Sequence, residues 1–195
     1  MHLREEKTLL LVKPDGVKRG LVGDIISRLE QRGLKIVGLK MLQVDRAHAA
    51  KHYPGTDEHC IGMGMKTLEN FQKYAKNAVE EMGTDDPLKI GRMIEQWNID
   101  FLTSGPVVAM VIEGIHAVDM VRKIVGPTLP NKAEMGTVRG DYSIDSPTLA
   151  NVEKRAIRNI VHASGEVAET EREISHWFKT EEIHSYKRSD DDVMF

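Results

Sequence analysis

His162 is the residue in this sequence best placed for covalent chemistry. It stands in Arg158-Asn159-Ile160-Val161-His162-Ala163-Ser164-Gly165, where two β-branched residues lead in and three small residues lead out. The pattern reads as a short apolar strand, a tight turn and an amphipathic helix, with the imidazole at the joint. A neutral imidazole with one nitrogen held by a carboxylate presents a defined lone pair on the other. Such a group serves as a nucleophile or a base. Glutamates 166, 169, 171 and 173 fill the first turns of the following helix, where its dipole favours anions, and Ser164 is the expected N-cap. Val167, Ile174 and Phe178 define the expected buried face, which sets Glu171 nearer to it than Glu173. A histidine beside a glutamate is also common in structural roles, so the rest of the chain decides.

Three basic residues could hold an anion near such a group. Lys13 ends the apolar run Thr8–Val12, just before the turn-forming Pro14-Asp15-Gly16. Arg122 lies in a helical pattern, and Arg139 in the glycine- and proline-rich stretch 126–140, which reads as a long ordered loop and hence as functional. Thr128 and Asn159 add neutral hydrogen-bonding groups. The chain has neither a GxxxxGK phosphate loop nor a GxGxxG fingerprint, so side chains must hold any phosphate. Each cation alone is an ordinary surface charge. With a nucleophilic histidine, guanidinium and ammonium clamps suffice for phosphoryl transfer.

The elements that must position these residues follow from periodicity. Thr8–Val12 reads as a buried strand. Val22, Ile25, Ile26 and Leu29 give a helix closed by Gly33, and 34–44 a second strand. Asp45 caps a short helix ending near Pro54. Residues 55–103 form a helical block: one helix over 67–82 with Leu68, Phe71, Ala75 and Val79 as its stripe, then a second beginning at Pro87. VVAMVIEG at 107–114 is a third strand, and Ala117, Val118, Val121, Ile124 and Val125 mark a helix. A helix over 146–157 precedes the His162 strand, and a charged tail ends the chain. The order predicts an α+β fold: a ferredoxin-like split βαβ with a four-stranded antiparallel sheet and helices on one face, as a single domain over 1–195.

Composition sets bounds on the class. The 195 residues are 41% hydrophobic and 29% charged, as in an ordinary soluble globule. One cysteine, Cys60, excludes an intrachain disulfide and suits a reducing compartment. The N-terminal apolar run LLLV is too short for a leader or membrane span, so a cytoplasmic protein is expected.

Four blocks in order carry a resemblance to the nucleoside diphosphate kinase family: KPDGVKRGLVGDIISRLEQRGLKIVGLK at 13–40, SGPVVAMVIEG at 104–114, GTVRGDYS at 136–143, and RNIVHAS with EREISHWF over 158–178. The last pair is highly specific to the family. The resemblance implies a ping-pong kinase in which His162 takes the γ-phosphate of a nucleoside triphosphate and passes it to a nucleoside diphosphate. It implies that Glu173 orients the imidazole with support from Ser164 and Tyr53. Lys13, Arg122, Thr128 and Arg139 hold the phosphates, and Asn159 meets the ribose region. Mg²⁺ is implied on the nucleotide phosphates rather than in a protein cage, as is a homo-oligomer, hexameric by the family pattern.

Departures from that pattern are local. Gly165 stands where the family has aspartate. The block within 55–103 is about thirty residues too long and 145–155 about ten. The first falls where the family presents the aromatic that stacks on the base, and none of Phe71, Tyr74, Trp97 and Phe101 takes that role by position. Two other classes fit less well. A nucleic-acid reader of this fold wants sheet aromatics and a basic surface, but VVAMVIEG and LKIVGLK have no aromatics and the net charge is -3. An inactive scaffold has no reason to keep Lys13, Arg122, Arg139, Asn159, His162 and Glu173 together.

Overall fold

The computed structural model describes residues 5–53, 55–189 and 191–194. Residues 1–4 of the N-terminus read above, Pro54 at the expected helix end, and residues 190 and 195 of the tail lie outside the described residues. The strands are β1 (Glu6–Val12), β2 (Lys35–Leu42), β3 (Val107–Gly114) and β4 (Val161–Ala163). They form one antiparallel sheet in the order β2-β3-β1-β4, which is the expected fold.

Every residue of β3, and β1 from Thr8 onward, is buried. Strands apolar at successive positions need cover on both faces. Leu10, Val12, Val108, Met110 and Ile112 pack with α2 (Val22–Gln31) and α7 (Ala117–Val125) on one face. Leu9, Leu11, Val107, Ala109 and Val111 pack on the other with α3 (Arg46–His52), α6 (Pro87–Leu102) and Trp177 of α10 (Val167–Trp177). Helices therefore cover two faces where the order of elements predicted one.

The 55–103 block is a helical pair with a third core. α4 (Asp57–Lys73) begins ten residues before the expected helix and ends inside it. Ala75 turns left-handed at φ 51°, and the Asn77 side chain caps a new helix, α5 (Ala78–Met82), by accepting from the Val79 and Glu80 amides. Asn prefers capping to helix interiors, so the stripe breaks there and Val79 stands 53% exposed. Phe71, Met82 and Ile90 form the buried centre, joined by Leu68, Met93, Ile94, Trp97 and Val152. Val152 ends α9 (Pro147–Val152), and the neighbouring Asn151 donates to Thr67 Oγ1 at 3.1 Å. The two added stretches thus pack on each other.

α9 is shorter than the expected 146–157 helix, since Lys154 turns left-handed at φ 53°. The expected 126–140 loop is likewise shortened by α8 (Val138–Tyr142), which Thr137 caps and which carries Arg139 in its first turn. α1 (Pro14–Lys18) follows β1 directly, and α11 (Asp191–Met194) lies in the tail. Within the described residues the tail runs along its own chain's β2, where the His184 amide donates to Val37 O at 2.7 Å and the Tyr186 hydroxyl to Ile36 O at 3.2 Å. No helix among the described residues is long and apolar enough to cross a membrane.

Candidate active site

The sheet register brings the site together. His162 pairs with Leu11 across β1 and β4, so Lys13 at the end of β1 arrives beside Asn159 and Ile160. The Lys13 amide donates to Ile160 O at 2.8 Å, and its ammonium donates to Asn159 Oδ1, also at 2.8 Å. Ile160 was read as a strand residue. It stands instead at φ 69°, a costly conformation for a β-branched side chain. Asp15 holds it there by accepting its amide at 3.0 Å. The approach also needs Gly16, where a Cβ would stand 2.7 Å from Val12 Cγ1 and 3.1 Å from Ile160 O. The left-handed turn redirects the chain between Asn159 and His162, so both side chains belong to one site.

His162 is part-buried, with 24% of its side chain exposed. Its Nε2 lies 3.1 Å from each carboxylate oxygen of Glu173. The ring proton therefore belongs on Nε2, and Nδ1 keeps its lone pair on the side away from Glu173. The Ser164 hydroxyl donates to Glu173 Oε2 at 2.6 Å and accepts the Leu9 amide at 3.3 Å. Ser164 is thus not the N-cap expected of it: Glu166 occupies that position without a side-chain cap bond, because the serine hydroxyl is spent on Glu173. The buried face of α10 is Thr170, Glu173 and Trp177, while Val167 is 48% exposed and Glu171 lies in solvent. Of the expected face, Ile174 and Phe178 do pack in the core and Val167 does not; periodicity missed Glu173 because a buried carboxylate does not register as apolar. Burial opposes the Glu173 charge, but hydrogen bonds from His162 and Ser164 outweigh it and hold the carboxyl below its ordinary range.

The cationic residues converge to different degrees. Arg139 is buried and donates to three carbonyls: Asn159 O at 3.3 Å, Gly126 O at 2.5 Å and Val161 O at 2.8 Å. A guanidinium has five N–H donors, so some remain for an anion. Burial and the neighbouring Arg122 push its pKa down to about 10. Burial and Arg139, opposed by Asp15, push Lys13 down to about 8. Thr128 is exposed, and its carbonyl accepts from Asn159 Nδ2 at 2.9 Å. Arg122 is exposed on α7, with Nη1 3.8 Å from the position a Cβ on Gly165 would take. At Gly165 itself, the backbone amide donates to Glu169 Oε2 at 3.1 Å, so a carboxylate still closes the turn.

Tyr53 stands one ring away. Its hydroxyl is 3.5 Å from Asn98 O, and its ring meets His52 at 5.0 Å. Burial raises its pKa. His52 and Trp177 were not singled out by sequence. His52 is buried with its ring centroid 4.4 Å from that of His162 at 84°, and Trp177 Nε1 donates to His52 Nδ1 at 3.3 Å. Only the spacing of His52 before Tyr53 in the α3 pattern could have pointed to it. Phe71 is enclosed in the third core and unavailable for stacking, whereas Trp97 and Phe101 line a cleft of about 590 Å³ with Pro14 and Arg158.

One ligand atom from each of His52, His162 and Glu173 lies within 4.8 Å of the others. That set does not fit a hard divalent cation, which prefers oxygen. Its members are also committed: His52 Nδ1 to Trp177, and Glu173 to His162 and Ser164.

A family model described as nucleoside diphosphate kinase matches residues 6–61 and 91–183. The gap, 62–90, falls inside the helical block. A curated nucleoside diphosphate kinase of Pyrobaculum aerophilum is 51% identical over 178 residues, covering 91% of this chain and 97% of that one. The crystal structure of an NDP kinase from the same organism superposes with a TM-score of 0.90 at 49% identity, covering 93% of this chain and 100% of that one. A Borrelia burgdorferi nucleoside-diphosphate kinase, solved as a transition-state mimic with vanadate and ADP, gives 0.77 at 38% identity, covering 96% and 95%.

Proposed function

This chain belongs to the nucleoside diphosphate kinase family and is a phosphotransferase acting on nucleotides, and from that premise we propose that His162 Nδ1 carries the phosphoryl group. The observation behind this reading is the contact of His162 Nε2 with both oxygens of Glu173 at 3.1 Å. It leaves one nucleophilic nitrogen with its lone pair free. Nδ1 attacks the γ-phosphorus, the bond to the β–γ bridging oxygen breaks, and the diphosphate leaves. Glu173 keeps the Nε2 proton and offsets the positive charge that develops on the ring. A second nucleoside diphosphate then takes the group by the reverse route.

Lys13, Arg122, Arg139 and Thr128 are read as the phosphate clamp, and Asn159 as the group that ties Lys13 to the ribose region. Ser164 steadies Glu173, and Tyr53 backs the site through His52. Stabilising charge on the transferring oxygens is the main work left to the protein in such chemistry. The Mg²⁺ implied by the family is read as arriving on the nucleotide phosphates, as part of the substrate, since the donors around His162 do not suit it.

We read the chain as one domain, because α6 packs in both the sheet core and the added core. A homo-oligomer, with a hexamer as the family pattern, draws support from apolar exposure: Leu39 and Met41 on the edge strand β2 are 54% and 61% exposed, and Ile144 is 98% exposed. A cytoplasmic location is supported by the single, buried Cys60.

Isotope exchange tests the two half-reactions. Label should pass between ADP and ATP with no other nucleotide present, and His162→Ala should abolish that exchange while ADP binding remains. Exchange that survives in the variant would exclude His162 as the carrier.

A further inference from the structure

We propose that His52 is a positioning residue for the reaction, its ring fixing the plane of the His162 imidazole so that Nδ1 is aimed away from Glu173 in one direction. This rests on the reading of His162 as the carrier. A hydrogen bond from Nε2 to a carboxylate constrains one edge of the ring but allows rotation about the line joining them. A second contact out of that plane is needed to stop the rotation. His52 supplies it, meeting His162 nearly perpendicularly, at 84° and 4.4 Å between centroids.

His52 is itself held on several sides. It is 3% exposed. Trp177 Nε1 donates to its Nδ1, which sets one tautomer and one ring orientation, and the Tyr53 and Trp177 rings pack against it at 5.0 and 5.5 Å. Trp177 follows Glu173 by one helical turn on the same buried face of α10. A single helix face therefore fixes both constraints on His162: directly through Glu173, and through Trp177 and His52. The groups that act on His52 electrostatically are His162, Lys13, His176 and Arg172, all of which disfavour a charge there, as does burial. A neutral ring does not compete with the positive charge that develops on His162 during transfer.

Single-turnover labelling by γ-labelled ATP, with ADP affinity measured alongside, tests the proposal on His52→Ala and His52→Phe. The Ala variant should phosphorylate roughly 10- to 100-fold more slowly, the scale of a small misalignment of reacting groups, with ADP affinity within about 2-fold of the parent. His52→Phe keeps a planar ring in the same space and should recover most of the rate. ¹⁵N chemical shifts should show His162 protonated on Nε2 in the parent and in His52→Ala alike, because Glu173 still holds that proton. An Ala variant labelled at the parental rate would overturn the proposal. So would a Phe variant as slow as Ala, or a rate loss matched by lost ADP affinity. Absence of label on the parent protein would instead overturn the reading of His162.

Discussion

At Glu173, burial and hydrogen bonding pull in opposite directions, and the bonds win. Its folded pKa lies below the 4.5 of a free glutamate. Stability from this group is therefore full above about 4.5 and is lost as pH falls through the folded value. Glu173→Gln should flatten the pH dependence of the urea midpoint below pH 5 and slow transfer roughly 10- to 100-fold, as losses of an orienting partner do. An unchanged acid limb would contradict the account. The Lys13 shift costs stability where the Glu173 shift adds it, although both make stability rise with pH. With a folded pKa of about 8 against 10.5 unfolded, the lysine carries a stability deficit below pH 8 that is relieved as pH rises toward 10.5. Phosphate should restore its charge, so ADP binding near pH 8.5 should take up a proton. Titration calorimetry in two buffers of different ionisation enthalpy measures this, and identical apparent enthalpies would contradict it. His162, Ser164 and the cations were legible as residue types. Which glutamate faced the histidine came from the resemblance alone, because a buried carboxylate is invisible to hydrophobic periodicity. Ile160 was misread for a related reason: β-branched residues signal strand, and only tertiary contacts with Asp15 and Gly16 impose its left-handed turn.

Among the elements, β1, β2 and β3 and the helices α2 and α7 followed the pattern closely, since each has a continuous apolar face, and α3 followed its Asp45 cap. The helical block did not, because Asn77 restarts a helix where the apolar stripe ran on and α4 begins within a polar stretch. What sets this block is close backbone approach. A Cβ on Gly64 would stand 1.9 Å from Pro87 O, and one on Gly91 1.9 Å from Cys60 O. Both contacts join α4 to α6, so neither helix can yield by moving a side chain. Gly91→Ala should cost about 1–3 kcal/mol, the range for overpacking, read as a fall in the urea midpoint. Gly62→Ala, in α4 with nothing within 4 Å, should gain about 0.5–1 kcal/mol by propensity. Equal effects at the two positions would mean that the helices do not cross as closely as described.

For the molecule as a whole, the stretch outside the family match, 62–90, and the segment carrying α9 form one unit through Phe71, Met82, Ile90 and Val152. That unit rests on α6, whose other side helps to bury the sheet face opposite α2 and α7. The sheet order was legible because the alternation of strands and helices admits few topologies. The pairing of distant insertions was not, because neither stretch signals the other in sequence. Light scattering should give a mass that is a multiple of the 21.9 kDa chain, and a pair of charges at Leu39 and Met41 should lower it. A monomer at micromolar concentration would contradict the proposed assembly.

The central claim is that a covalent phosphoryl group resides on His162, and acceptor-free labelling tests it most directly. Protein mixed with γ-labelled ATP and Mg²⁺ should yield an acid-labile, base-stable phosphoprotein labelled at His162, discharged by several different nucleoside diphosphates. A protein that binds ATP without acquiring label, or that carries acid-stable label elsewhere, would contradict it.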